Sequence, residues 1–242
     1  MKNLIYRLFS KYHLRHGLRT ISNLENKLPT QASRFAVPFV YRGKGFFKSI
    51  EPRQNLGEIE QLYQQICEIR PERVLEIGTA KGGTLYLWSQ AAVENAVIIS
   101  VDLPGGDFGG AYPSCRVPFY RSFARGKQKI HLLRADSHKL NTFESVEKLL
   151  NRKPVDFAFI DGDHTYEGVK SDFFRYGPLV RKGGIIAFHD ILSRADLPEI
   201  QVHRFWEEIK DNYETFEFIG TKDTGRKIIG IGMLRVGTAS IG

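Results

Sequence analysis

RVLEIGTAKGGT, residues 73–84, decides the fold. Arg73–Ile77 is a short aliphatic run, and Gly78, Gly82 and Gly83 follow it at once. Glycines at a strand-to-helix turn let backbone approach a ligand closely and open the amides of a helix N-terminus. The rhythm continues downstream. A helix runs to about Val93; Val97–Val101 is strand-like again, followed by a long loop and a helix ending at Arg125. Ile130–Arg134 precedes a helix over 142–151, Val155–Ile160 one over 166–180, and Ile185–Phe188 one over 198–212. Such alternation gives βαβ units, hence a parallel sheet covered by helices on both faces. The chain end departs from it. Phe216–Ile219 and Ile228–Val236 are joined by Thr221–Lys227, too short for a crossover helix, so the last strand returns as an antiparallel hairpin.

Upstream of the first strand, Asn55–Arg70 has helical period, with Ile59, Leu62, Tyr63, Ile66 and Ile69 on one side. Residues 28–54 hold Pro29, Pro38 and Pro52 and read as an irregular linker. The first twenty residues set Leu4, Ile5, Leu8, Phe9 and Tyr12 at helical spacing, with Lys2, Arg7, Lys11, Arg15 and Arg19 largely between them. The chain therefore divides into a basic helix with linker, 1–54, and a main domain, 55–242. Residues 1–50 carry ten Lys/Arg and one acid, whereas 51–242 carry 25 against 26, so the net +8 belongs to the appendage. A nucleic-acid reader would carry its charge on the body, and no nucleic-acid partner is expected. Two readings are open for the helix: packing on the body or a second subunit, giving a homo-oligomer, or lying on an anionic membrane surface.

Several classes fall away on composition. The chain has 242 residues, 42% hydrophobic, with 17 Phe and 10 Tyr, enough to bury a sizeable core rather than remain disordered. Its apolar runs are strand-sized, far short of the roughly 20 residues that span a bilayer. The N-terminus lacks the apolar core and cleavage site of a secretory signal. Cys67 and Cys115 form neither a disulfide framework nor a zinc ribbon, which fits a reducing, cytoplasmic setting, with association at the inner face of a membrane as the alternative.

In an open parallel sheet, ligands bind at the carboxyl ends of the strands. The first end presents Glu76-Ile77-Gly78-Thr79-Ala80-Lys81-Gly82-Gly83. The second presents Asp102, 24 residues beyond Gly78 and suited to both hydroxyls of a ribose. The third presents Asp136-Ser137, able to bond an adenine edge, so the three together describe an adenosine pocket. The fourth ends in Asp161-Gly162-Asp163-His164 and the fifth in His189-Asp190. Two apolar strands deliver carboxylates to one spot, where they repel unless a cation or shared proton separates them. A hard divalent ion resolves this, and His189 as a third ligand would widen the choice to Mn, Fe or Zn. Each residue also has a plainer reading. Glu76 and Gly78 can shape a turn, Asp102 and Asp163 can cap helices, and His164 can be structural. The conjunction of five polar strand ends favours a ligand site.

A nicotinamide dinucleotide is the rival ligand, but it wants G-x-G-x-x-G, and Gly78, Ala80 and Gly83 give only G-x-A-x-x-G. VLEIGTAKGGT, Asp102, Asp136-Ser137 and the terminal hairpin resemble the class I S-adenosylmethionine-dependent methyltransferases over roughly residues 55–236. FIDGDHTYEGVKSDFFRYGPLVRKGGIIAFHD, 159–190, resembles the branch with cephalosporin-hydroxylase-like proteins, sugar O-methyltransferases and, more distantly, catechol O-methyltransferase. The resemblance implies a Rossmann-like three-layer sandwich whose seven-stranded sheet takes its last strand antiparallel between the fifth and sixth. It implies S-adenosylmethionine bound by Glu76, Gly78, Thr79, Gly82, Gly83, Asp102, Asp136, Ser137 and Asp161. It further implies magnesium on Asp161, His189 and Asp190, and His164, beside Asp161, as general base in O-methylation of a small molecule or saccharide. His189 departs from the acidic or amide residue usual there. A non-catalytic cofactor-binding protein is the remaining alternative. In Leu103–Arg125 the glycine pairs around Asp107-Phe108 read as a mobile lid, and two readings are open for Arg116, Arg121 and Arg125: holding an anionic or glycosylated substrate, or facing solvent.

Overall fold

The computed structural model describes residues 2–106, 112–220 and 227–237. The Asp107-Phe108 tip, most of the Thr221–Lys227 connection, and the side chains of Leu4, Ile5, Leu8 and Phe9 lie outside the described part.

Seven strands form one sheet: β1 (Arg73–Ile77), β2 (Val97–Val101), β3 (Lys129–Leu133), β4 (Val155–Ile160), β5 (Val180–His189), β6 (Glu214–Phe218) and β7 (Ile231–Arg235). Their order is β3-β2-β1-β4-β5-β7-β6, with β7 antiparallel to both neighbours, as the hairpin requires. The chain reverses direction across the sheet between β1 and β4, where a crevice opens.

Strand periodicity sorts the core into two layers. Val74, Ile98, Phe157, Phe159, Ile185 and Ala187 face one cluster, under α4 (Leu56–Ile69) and α5 (Gly83–Ala91). Leu75, Ile99, Ala158, Ile160, Ile186 and Phe188 face the other, under α7 (Leu140–Leu150), α8 (Tyr166–Tyr176) and α9 (Val202–Ile209). The central strands are buried on both faces, so their sequence is continuously apolar.

The N-terminal fifth differs from its reading as helix plus linker. Helix α1 runs from Lys2 to Lys27, and two short helices follow, α2 (Gln31–Arg34) and α3 (Val37–Val40). Val37, Tyr41, Phe47 and Ile50 are fully buried in the α4/α5 cluster. Pro38 sits in the first turn of α3, where a proline fits a helix, so proline content alone mimics a linker. α4 adds a buried acid that periodicity hides. Glu58 Oε1 accepts from the backbone of Gly220 and Ile229, both at 3.1 Å, and holds the two ends of the β6–β7 connection.

Candidate active site

Register explains why the strand tips meet. Ile77 pairs with Val101 and with Ile160, Val101 with Leu133, and Ile160 with Phe188. Gly78, Asp102, Asp161 and His189 therefore stand one step above a common row. They line one cavity of ≈ 660 Å³ with Ala80, Asp136, Ser137, His164 and Asp190, a volume suited to a nucleoside-sized ligand.

On the nucleotide side, Gly78 (φ +100°) gives its N–H to Val101 O at 2.8 Å. A Cβ there would lie 2.0 Å from the carbonyl oxygen of Asp161, so only glycine lets the two tips touch. Asp102 Oδ2 accepts from Ala80 N at 2.6 Å, fixing the carboxylate against the turn. Asp136 Oδ1 accepts from His138 N at 2.9 Å, and Tyr176 donates to Ser137 O at 2.7 Å. Glu76, Thr79, Gly82 and Gly83 do not line the cavity. Glu76 lies beneath the loop with Oε2 accepting from Ser100 Oγ at 2.6 Å, while Oε1 has no partner among the described residues. Burial pushes its carboxyl up to about 8, against the hydrogen bond from Ser100. Gly82 abuts the Tyr120 ring, and Gly83 abuts Ile50 and Pro52.

The acidic side is more concentrated than alternation predicts. His189 and Asp190 are consecutive and, in a continuing strand, would point to opposite faces. β5 ends at His189, however, and Asp190 adopts φ +64°, a left-handed conformation that turns its carboxylate back onto the same spot. His189 Nδ1 then lies 3.1 Å from Asp161 Oδ1 and 3.2 Å from Asp190 Oδ2. His164 Nδ1 lies 2.7 Å from Asp190 Oδ2, with Nε2 3.9 Å from Asp161 Oδ1. Gln54 donates to Asp161 Oδ2 at 2.7 Å.

Electrostatics follow from the cluster. Burial works against charge on both histidines, but Asp161 and Asp190 outweigh it and raise His189 well above 6.5 and His164 above 6.5. Burial likewise opposes the Asp190 charge, and the His189 imidazolium with the His164 hydrogen bond reverses that, holding it far below the carboxylate range.

Ligand atoms of Asp161, His164 and Asp190 lie within 4.8 Å of one another, and buried Asp190 Oδ1 has no hydrogen-bond partner among the described residues. Two carboxylates and an imidazole suit a divalent cation. Geometry thus groups His164 with the two acids, while His189 Nδ1 is hydrogen-bonded to both and its buried Nε2 has no partner among the described residues.

Other expectations are corrected. Arg116 and Arg125 do not reach the cavity. Arg116 donates to the carbonyls of Phe46 and Ser49, and Arg125 to those of Ser89, Gln90 and Ala92 at the end of α5. Arg121 is exposed outside the lining, in line with its solvent-facing reading. The cap of α8 is Thr165, accepting from Gly168 N; Asp163 closes the preceding turn through Thr165 N at 2.9 Å.

Arg53, Gln54, His138 and Arg194 escape sequence reading. His138 follows Asp136-Ser137 directly and was the one with a signal. Its Nε2 lies 3.4 Å from Asp172 Oδ1, whose side chain is fully buried. The bond and charge of Asp172 raise His138 to about 8 despite burial. A raised histidine stabilises the fold fully below its unfolded value near 6.5, and loses that contribution as pH climbs through about 8. The Tm advantage of wild type over His138→Gln is therefore expected to shrink between pH 6 and 9; an advantage constant with pH refutes the assignment.

Residues 75–191 match the family model described as a methyltransferase domain. A curated uncharacterized protein of Acanthamoeba polyphaga mimivirus is 30% identical over 132 residues, 52% of this chain and 54% of that protein. One of Sinorhizobium fredii is 26% identical over 144 residues, 58% of this chain and 15% of that protein. The chain thus spans about half of one curated relative and a small part of the other. Among solved structures, an O-methyltransferase of Bacillus cereus in complex with SAH is similar at TM-score 0.59 and 14% identity, covering 86% of this chain and 97% of that one. A putative O-methyltransferase of Klebsiella pneumoniae is similar at 0.55 and 15%, covering 89% and 100%. At these identities the likeness establishes the fold.

Proposed function

From the match of residues 75–191 to a methyltransferase-domain model, we propose that the protein moves the methyl group of S-adenosylmethionine to a hydroxyl of a small molecule or saccharide. One observation carries this reading. A glycine turn with Asp102 on one wall, and the Asp161–His164–Asp190 group on the other, face a single cavity.

In this reading Gly78, Asp102, Asp136 and Ser137 hold the nucleoside, with Glu76 and the glycines at 82 and 83 shaping the loop from below. Bound S-adenosylmethionine would supply an electrophilic methyl group, and a divalent cation held by the Asp161 and Asp190 carboxylates would supply positive charge beside the acceptor oxygen. His164 is the general base. Its Nδ1 donates to Asp190, which leaves Nε2 to receive the acceptor proton, the arrangement by which a carboxylate fixes an imidazole tautomer. Gln54 and His189 anchor Asp161. The acids and imidazoles keep the site charge-compensated as the proton leaves, and the walls align oxygen and methyl carbon.

Titration calorimetry with S-adenosylmethionine and with NAD is expected to show binding of the first alone. Methyl-labelled donor offered with sugars, phenols and lipid-linked acceptors is then expected to label a hydroxyl. NAD binding in place of S-adenosylmethionine overturns the reading. Donor binding without transfer to any acceptor replaces it by a non-catalytic one, and full activity after chelation removes the cation from it.

A further inference from the structure

No described residue of the basic N-terminal fifth lines the candidate site, and the structure localises where its charge gathers. From residue 14 onward the apolar side of α1 is occupied: Leu14, Leu18, Ile21 and Leu24 pack on the core, and Gly17 meets Tyr41 and Phe119. The outward side carries Lys11, Tyr12, Arg15 and Arg19, all exposed. A single 3-10 turn, Gly45–Phe47, packs beside it. Lys44 Nζ sits 5.8 Å from the centre of the Tyr12 ring. Ser10 and His13 from the helix, with Gly45, Phe46 and Lys48 from the turn, line an open cleft of ≈ 590 Å³. Tyr12 is 56% exposed and Phe46 43%.

We propose that this face docks the protein on an anionic lipid bilayer, with Tyr12 and Phe46 entering the headgroup region and Arg15, Lys44 and Lys48 around them contacting lipid phosphates. Three observations converge on that occupant. The charge is segregated, ten Lys/Arg to one acid over residues 1–50, and complements only an anionic partner. The cations surround two aromatic side chains beside a cleft, the amphipathic arrangement that interfacial anchors use; a nucleic-acid backbone would engage the charges and leave the cleft empty. The platform is also fixed in advance. Arg116 Nε donates to Phe46 O at 2.5 Å and its second terminal nitrogen to Ser49 O at 3.0 Å, while Tyr41 OH donates to Phe47 O at 2.8 Å. Little ordering remains to oppose docking. Among the described residues no helix is long and apolar enough to cross a membrane, so the contact is peripheral.

Sedimentation of the full chain with vesicles tests this independently of turnover. Binding is expected to phosphatidylcholine vesicles containing phosphatidylglycerol, not to phosphatidylcholine alone, and to fall away at 1 M salt, where the screening length shrinks to about 3 Å. Lys44→Ala with Lys48→Ala is expected to weaken partitioning roughly 30-fold, two basic contacts at the usual strength of each. Tyr12→Ser with Phe46→Ser is expected to weaken it roughly tenfold at unchanged charge. Circular dichroism and S-adenosylmethionine affinity check that each variant is folded. The proposal is overturned by absence of vesicle binding, by binding that ignores both double substitutions, or by a preference for duplex nucleic acid. A dimer that buries Tyr12 and Phe46 in solution overturns it equally.

Discussion

Asp190→Asn is expected to lower kcat by about 10³-fold or more, with S-adenosylmethionine affinity nearly unchanged. Asp190 Oδ2 is the meeting point of two imidazoles, His164 Nδ1 at 2.7 Å and His189 Nδ1 at 3.2 Å. Asparagine removes the negative charge from both. Its amide can also present an N–H to His164 Nδ1, which moves the ring proton to Nε2, the atom that has to receive one from the acceptor. The backbone is spared, because asparagine tolerates the left-handed conformation found at φ +64°. Asp102 and Gly78, across the cavity, keep their contacts. Asp190→Ala and Asp161→Ala should abolish turnover in the same way, the second also releasing Gln54 and His189. Single-turnover methyl transfer against calorimetric donor affinity separates the two effects. A variant that keeps more than a tenth of wild-type kcat refutes the role given to Asp190.

The sheet was legible because its physics is local. Alternating apolar runs mark β1 to β5, and the short Thr221–Lys227 connection has no room for a crossover helix, so β7 had to run antiparallel. The tips were legible for the same reason: whatever follows an aligned strand end lies on the rim. What failed needed long-range contacts or backbone angles. Gln54 reaches Asp161 across 107 residues, from a stretch whose prolines resemble a linker while Val37, Tyr41, Phe47 and Ile50 fill the core. Arginines 116 and 125 look like ligand contacts in the sequence, yet an arginine's five donors serve equally to tie down loop and helix-end carbonyls. That the Asp190 carboxylate turns back to meet both His164 and His189 rests on its left-handed backbone, which residue identities do not encode.

Gly78→Ala carries the other large expected effect, on cofactor affinity and stability together. The added Cβ would lie 2.0 Å from Asp161 O, 2.6 Å from its carbonyl carbon and 3.1 Å from Gly162 N, all backbone atoms of the neighbouring strand tip. No side chain can swing aside, so the β1 and β4 tips must part or the turn must move. Overpacking of this kind costs about 1–3 kcal/mol, and the positive φ adds about 1–2 kcal/mol for any L side chain. The same displacement carries Asp161 away from His189 and Gln54 and pulls Ala80 from Asp102, so donor affinity should fall by about 100-fold, or roughly 2.7 kcal/mol. Gly105→Ala is the internal control. Gly105 also has a positive φ, +79°, but a Cβ there meets no atom of the described residues within 4 Å, so the backbone cost of about 1–2 kcal/mol is the one expected. Thermal denaturation and donor titration of both variants isolate the close approach. Equal losses in the two would mean that conformation alone is responsible, and that the contact between the strand tips does not hold the site together.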